Sequence, residues 1–370
     1  MSDPWRHINF CRSWRYLDCR NPPVCLYPVW YNPPGKGKLE SLNAYADFDH
    51  KPLDVGMTQS ELDRDITSAH ANPGWIGDSF VADYVSLLKP RVMSLVVFTG
   101  LTGMVIAPGT IHWVLGLVAI LCISIGAGAS GAINMWYDAD IDATMDRTSG
   151  RPIPSGRVPR ADALGFGVAL SLASIALMGV AVNWISAALL ALTIGFYIFV
   201  YTMWLKRRTP QNIVIGGAAG AMPPVIGWAA TTGEIGLGAV VLFALIFLWT
   251  PPHFWALALL RSGEYAAAKV PMLPVVAGER ATKNQMLAYS VLVAVAGVAP
   301  WYIGLAGLIY GIASAVLGLA FLGFAVAVWR GDGTAWASRM YGFSILYLFL
   351  IFSLLLVDGG LAANFGGASV

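Results

Sequence analysis

Asn134, Asp138 and Asp142 are the residues of this 370-residue sequence best placed to do chemistry. They lie in the string Asn134-Met135-Trp136-Tyr137-Asp138-Ala139-Asp140-Ile141-Asp142-Ala143-Thr144-Met145-Asp146-Arg147, directly after the apolar run from Trp113 to Ile133. In a helix, steps of four residues keep side chains on one face, drifting by roughly 40° per step. Carboxylates at the mouth of an apolar helix are costly unless something cationic engages them. A divalent metal is the simplest such partner. Magnesium takes a few carboxylates together with phosphate oxygens more readily than a closed protein cage. A metal held by open carboxylates is suited to gripping a diphosphate. Asp138 and Asp142 are the expected ligands, with Asn134 a neutral oxygen donor one turn earlier. Asp146, a further turn along, extends the set toward a second metal or orients an arginine. Asp140 sits about 200° from Asp138 on a helix and is expected off the metal face. The plainer reading is a solvated acidic loop. Three in-phase polar residues at a helix mouth, followed by Arg147, Arg151, Arg157 and Arg160, favour the metal.

The elements that must position these groups are membrane helices. The chain is 57% hydrophobic and only 12% charged, whereas soluble domains carry about 25% charged residues. Apolar runs of about 20 residues, enough to cross a bilayer, recur along it. The expected fold is all-α: a polytopic membrane protein with about nine transmembrane helices around a central cavity. The spans are read at 91–109, 113–134, 162–182, 184–204, 212–231, 236–258, 286–305, 308–328 and 338–357. Long charged connections (135–161, 205–211, 259–285, 329–337) alternate with short, nearly uncharged ones. Every lysine and arginine from Lys89 to Arg339 falls on the side of the long connections. The positive-inside rule makes that side cytoplasmic, with the N-terminus in and the C-terminus out. The acidic string then faces the cytoplasm, from a bacterial cytoplasmic (inner) membrane. The connections after the second and sixth spans are both long and polar. Two four-helix halves would bring them side by side over one cavity.

Residues 1–80 read as an N-terminal extension without sustained periodicity, 81–358 as the transmembrane domain and 359–370 as a short tail. No signal-peptide arrangement is visible. Met57 opens an ordinary cytoplasmic start, so residues 1–56 are expected to be a mis-assigned upstream extension or a disordered tail. Cys11, Cys19, Cys25 and Cys122 match no zinc spacing and suggest no disulfide framework. No long basic stripe is present, which argues against nucleic acid as a partner.

The pattern Asn134-x-x-x-Asp138-x-x-x-Asp142 resembles that of the intramembrane aromatic prenyltransferases, the UbiA superfamily. The fuller string through Thr148 and Arg151-Pro152 looks like the branch that farnesylates protoheme IX. Leu205-Lys206-Arg207-Arg208-Thr209-Pro210-Gln211-Asn212, Trp249-Thr250-Pro251-Pro252-His253-Phe254-Trp255, and Glu264-Tyr265 with Val270-Pro271-Met272-Leu273-Pro274 agree with it. The similarity spans residues 84 to about 357. It departs from the superfamily in the second loop, where a second Asp-x-x-x-Asp is common. Here the motif position has Glu264, where the branch commonly has Asp, then Tyr265, and Ala268 in place of the second acid.

The resemblance implies farnesyl diphosphate and protoheme IX as substrates, magnesium as the ion, membrane lipid as surroundings, and heme A synthase or terminal oxidase assembly factors as partners. It implies farnesyl transfer to a heme vinyl group with addition of water. On that basis Arg147, Arg151, Lys206 and Arg207 are expected on the diphosphate oxygens, arginine in a bidentate manner. Ordinary positive-inside topology would explain the same residues. Trp136, Tyr137, Trp204, Phe254 and Trp255 could stabilise an allylic cation by their π faces or form interfacial belts. His253 is expected either on the heme (iron or a propionate) or packed beside Pro251-Pro252. Asn212, Glu264 and Tyr265 complete the substrate-binding set. Gly216, Gly217 and Gly220 are expected to permit close helix approach. A quinone-precursor prenyltransferase would share the diphosphate site and differ in its acceptor pocket. A heme carrier or transporter would move heme without releasing diphosphate.

Overall fold

The computed structural model of the chain describes residues 78–365, with side chains from 80 to 359. The extension and the suggested false start at 1–56 therefore lie outside the described residues, apart from 78–80. Among the described residues all regular structure is helical. Eight helices are long and apolar enough to cross a membrane, and nine if one bent pair counts as a single span.

The chain enters through α1 (Asp78–Leu87) and bends by 49° into α2 (Pro90–Ile106). Proline suits the first turn of α2 because its missing N–H would have no partner there. Then follow α3 (Trp113–Tyr137), the short α4 (Ala139–Thr144) and α5 (Asp146–Ser149), α6 (Arg160–Ala181) and α7 (Trp184–Gly195). A π-helical stretch, Phe196–Leu205, completes the span that α7 begins. The next span is α8 (Asn212–Ala221) continued by α9 (Pro223–Thr232), and then α10 (Leu237–Leu260). The second loop carries α11 (Ser262–Ala267) and α12 (Leu273–Val276), and the chain closes with α13 (Gly278–Tyr302), α14 (Leu308–Arg330) and α15 (Ala335–Phe365). The spans fall where the apolar runs predict. The seventh begins at Gly278 rather than 286, because a polar turn containing Lys283 and Asn284 extends it inward. The last runs through Phe365, into the expected tail.

Large apolar side chains point outward in numbers that water would not tolerate, among them Val180, Val295, Ile309 and Leu319. They make the lipid-facing surface of an integral membrane protein. Trp113, Trp184 and Tyr302, all strongly exposed, mark the uncharged ends of three helices, where amphipathic rings sit at the headgroup level. With no hydrophobic effect between helices in lipid, small residues set the closest approaches. Side chains at Gly103 on α2 or Gly227 on α9 would run into the backbones of Pro224 and Gly100 respectively, so these two helices touch main chain to main chain. Gly216 packs against the Tyr201 ring and Gly217 against Thr250, as expected. Gly220 instead opens onto free space.

Both long polar loops send apolar side chains into the main buried cluster. Ile141 and Met145 of the first share one buried apolar cluster with Tyr265, Val270 and Met272 of the second. Both loops fold into pairs of short helices.

Candidate active site

The α3 helix ends at Tyr137, yet its hydrogen-bond register continues. The Asp138 N–H donates to the Asn134 carbonyl at 2.9 Å, and the Asp142 N–H donates to the Asp138 carbonyl at 2.8 Å. Between them Asp138 takes φ −90°, ψ 11°, the bridge region where active-site residues often sit. The three polar side chains thus keep one face across a helix break. All three are buried: Asn134 is 5% exposed, Asp138 0% and Asp142 3%. Burying ionised carboxylates costs several kcal/mol each by order of magnitude unless they are paired.

The pairing comes from elements far apart in sequence. Lys206, at the end of the π-helical stretch, makes a short ion pair with Asp138 Oδ2. Arg151 donates from Nη1 to Asp142 Oδ2 at 2.6 Å. Lys89, in the break between α1 and α2, donates from Nζ to Asn134 Oδ1 at 3.1 Å. Asn134 Nδ2 in turn donates to Asp138 Oδ2 at 2.7 Å and to Thr202 Oγ1 at 3.2 Å. Thr148, also buried, donates to the Asp142 carbonyl at 2.9 Å and anchors the loop below it.

Arg207 binds Asp140 in fork fashion, at 2.8 and 2.7 Å, and donates to the Tyr137 carbonyl at 3.2 Å. It thereby satisfies one of the carbonyls left open at the end of α3, a favoured place for a cation. Its guanidinium lies over the Tyr137 ring, 4.9 Å from the centroid. Its hydrogen bonds hold the Asp140 carboxyl below the usual carboxylate range. Asp140 therefore stays off the Asn134 face, as the helical spacing predicts. Arg207 also comes within 3.5 Å of Asp138 Oδ1.

Asp138 Oδ1 is sealed from solvent and accepts no hydrogen bond. A buried carboxylate oxygen with open lone pairs, beside a second carboxylate and an amide oxygen, is a donor set for a hard divalent cation. The residues present fit magnesium. The basic groups around them fit an anion that would arrive with it.

Other expected site residues lie elsewhere. Met145 is extended (φ −108°, ψ 127°) and breaks the helical phase. Asp146 and Arg147 consequently turn outward and are exposed at the rim rather than joined to the buried set. Asn212 is fully buried, with Nδ2 donating to the Lys206 carbonyl at 3.2 Å and Oδ1 unpartnered. It holds the backbone that carries Lys206. Glu264 accepts from Arg261 at 2.7 Å, while its other oxygen is sealed and unpaired. Tyr265 is buried in the apolar cluster that also holds Ile141 and Met145. His253 lies on α10, packed against α15 through Ser344. Trp204 is 54% exposed and Phe254 39%, so these two read as interfacial side chains rather than cavity walls.

Lys89 and Thr202 are the partners that the spacing argument missed. Lys89 counted only as a topology marker, yet it has φ 52°, a left-handed conformation unusual for a residue with a Cβ. Its place directly before Pro90 was the available signal, because that position disfavours the right-handed helix.

Known proteins share both the fold and the sequence. A protoheme IX farnesyltransferase of Rhizobium rhizogenes is 60% identical over 296 residues, covering 79% of this chain and 93% of the relative. A solved digeranylgeranylglyceryl phosphate synthase superposes with a TM-score of 0.65 at 18% identity, over 75% of this chain and 98% of the other. A UbiA homolog from Archaeoglobus fulgidus, solved with GPP and Mg2+ bound, gives a TM-score of 0.57 at 16% identity, over 74% of this chain and 99% of the other. The sequence pattern of the UbiA prenyltransferase family matches residues 96–356, from the first span to the last. A match that runs the length of the bundle and takes in the buried Asn134 face shows that the chain belongs to the UbiA prenyltransferase family.

Proposed function

We propose that this chain transfers a farnesyl group from farnesyl diphosphate to a vinyl group of protoheme IX, with addition of water, giving heme O and diphosphate. The buried Asn134–Asp138–Asp142 face, ringed by Lys89, Arg151, Lys206 and Arg207, carries the diphosphate half of the reading. Identity of 60% to a protoheme IX farnesyltransferase supports the acceptor half. The fold-mate solved with GPP and Mg2+ supports a magnesium–diphosphate pair as the donor's head.

Asn134 Oδ1, Asp138 and Asp142 would hold the magnesium, which supplies positive charge to offset that of the diphosphate. Arg151 and Lys206 bind diphosphate oxygens, Arg207 steadies the Tyr137–Asp140 turn, and Asn212 keeps Lys206 in place. Arg147 and Asp146 belong to the rim. As the allylic C–O bond breaks, its electron pair leaves with the diphosphate, which the cations stabilise. The allylic carbon then takes the vinyl π electrons. The cation left on the other vinyl carbon, next to the macrocycle, takes the oxygen of water and loses a proton. Before that capture bulk water must be kept out of the site. The positive-inside rule puts this end in the cytoplasm, with the N-terminus in and the C-terminus out, in a bacterial inner membrane.

The test is purified protein in lipid nanodiscs with labelled farnesyl diphosphate and heme. The expected result is diphosphate release and heme O by mass spectrometry, both abolished by EDTA and restored by magnesium. Heme transfer between vesicles with no diphosphate released would overturn the reading.

A further inference from the structure

The polar turn that opens α13 clasps the end of α14. The Arg280 guanidinium lies over the Trp329 ring, 4.3 Å from the centroid, and donates from Nη1 to the Trp329 carbonyl at 3.2 Å. Trp329 Nε1 donates to Asn284 Oδ1 at 2.9 Å, which holds the indole in place. Lys283 Nζ donates to the Gly331 carbonyl at 2.7 Å and pairs with Glu279 at 2.7 Å. Cations at the last carbonyls of a helix are stabilising. That role occupies Lys283 and one of the five N–H donors of Arg280. Arg330, the last residue of α14, is exposed and makes no side-chain hydrogen bond or ion pair among the described residues. It follows directly on the residue whose carbonyl Arg280 holds. Two guanidinium groups with no described carboxylate partner therefore share one end of the helix pair.

Both arginines top an exposed apolar track. Steps of three, four and seven residues put Ile312, Val316, Leu319, Gly323 and Arg330 on one face of α14, and all five are exposed. Arg280, Val291 and Val295 share an exposed face of α13 in the same way. Val293 and Phe321 take the core side of the pair, so both tracks face outward, to lipid. Gly323 is a notch in the α14 track, since a Cβ there would meet nothing within 4 Å. It lies about 10 Å along the axis from Arg330. That depth is past a headgroup layer of about 5–7 Å and within reach of an acyl chain. Trp329, beside the two arginines, is the ring type that sits at headgroup level.

We propose that the charged ends of α13 and α14 bind one anionic phospholipid. Arg280 and Arg330 take its phosphate, which a guanidinium matches in a bidentate manner. Its acyl chains lie along the outward tracks, one of them in the notch at Gly323. Ordinary topology asks only for positive charge somewhere at this end. It does not ask for a guanidinium held flat on a ring and tied to a carbonyl, nor for charge set in line with a notched apolar face. Two cations without a described acid beside them would repel the ammonium of a choline headgroup, so the lipid is anionic rather than zwitterionic.

The experiment uses purified full-length protein in nanodiscs of phosphatidylcholine and phosphatidylglycerol in equal parts. The protein is released into detergent and the lipid it retains is counted by native mass spectrometry. The wild type should retain one phosphatidylglycerol with a preference of about twenty-five-fold over phosphatidylcholine, about fivefold for each arginine. Arg330→Gln should leave about fivefold, and Arg280→Gln combined with Arg330→Gln none. Arg330 makes no described side-chain contact, so its single variant tests the site even if the double variant fails to fold. Gly323→Phe should lose the retained lipid with both arginines intact and the Tm unchanged, because its ring fills the notch. Lys269→Gln removes an exposed charge from the second loop and should keep the preference. Equal retention of the two lipids by the wild type would overturn the proposal, as would a preference that survives the double variant. A loss in Lys269→Gln as large as in Arg330→Gln would reduce the effect to overall charge and overturn it too. Wild-type retention in Gly323→Phe, or release of the lipid by an equimolar amount of soluble glycerol phosphate, would show an anion site without an acyl track and refute the lipid as its occupant.

Discussion

Asp138→Asn isolates charge from shape. The amide is isosteric with the carboxylate, and the backbone bond that carries the helix register through this position, 2.9 Å from the Asp138 N–H to the Asn134 carbonyl, does not involve the side chain. An asparagine oxygen can still accept from Asn134 Nδ2 and from Lys206, so the hydrogen-bond count is kept. What disappears is one of the two negative charges that would hold the cation. At an effective dielectric of about 20, a unit charge about 4 Å from another is worth about 4 kcal/mol. If that is lost from the transition state, the rate falls about a thousandfold at about 1.4 kcal/mol per decade. The structural loss is smaller. Arg207 keeps Asp140, and the Lys206 side chain is 15% exposed, so water can reach it. Destabilisation of about 1–3 kcal/mol leaves a bundle of this size folded. The assay is heme O formation in nanodiscs, with Mn2+ affinity by EPR and thermal unfolding on the same preparation. Heme O formation within about threefold of wild type at ordinary magnesium would refute the reasoning, since a retained rate means no charge at Asp138 was needed.

Other outcomes follow from the same contacts. Arg151→Ala removes the 2.6 Å ion pair to Asp142 and a diphosphate ligand; it should weaken farnesyl diphosphate binding about tenfold to a hundredfold while heme titrations stay unchanged, and the opposite order would exclude the assigned role. Gly227→Ala drives a methyl group into the Gly100 carbonyl; calorimetry should show a lower Tm, from about 1–3 kcal/mol of overpacking, and an unshifted Tm would disprove the main-chain contact of α2 and α9. In a background lacking Cys11, Cys19 and Cys25, Glu234→Cys should react with an impermeant maleimide only from outside intact spheroplasts, and Asp332→Cys only in inverted vesicles; the reverse pattern would invert the assigned orientation.

The spans were legible because an apolar run of bilayer length has one stable fate in lipid, and the Asn134–Asp138–Asp142 face because a helix repeats nearly every four residues. Three features were hidden from that reasoning. The π-helical stretch over 196–205 has the same composition as an α-helical span; only its wider turn, seen where the Lys206 N–H reaches the Tyr201 carbonyl, aims Thr202 and Lys206 at the acids. The extended Met145 breaks the phase between Asp142 and Asp146, and no residue there is a helix breaker that would have announced it. His253 and Ser344 are 91 residues apart, and nothing local in either segment names the other. Periodicity reports what one element does, whereas these depend on where two elements cross.

The ion pairs of Asp138 and Asp142 with Lys206 and Arg151 bear on how the protein comes into being. Because the chain's own ammonium and guanidinium groups already neutralise both acids, the bundle can fold with no ion acting as a staple. On the proposed reading, binding of the donor would be an exchange of counter-ions, in which the carboxylates give up their nitrogen partners to an incoming mineral–pyrophosphate unit.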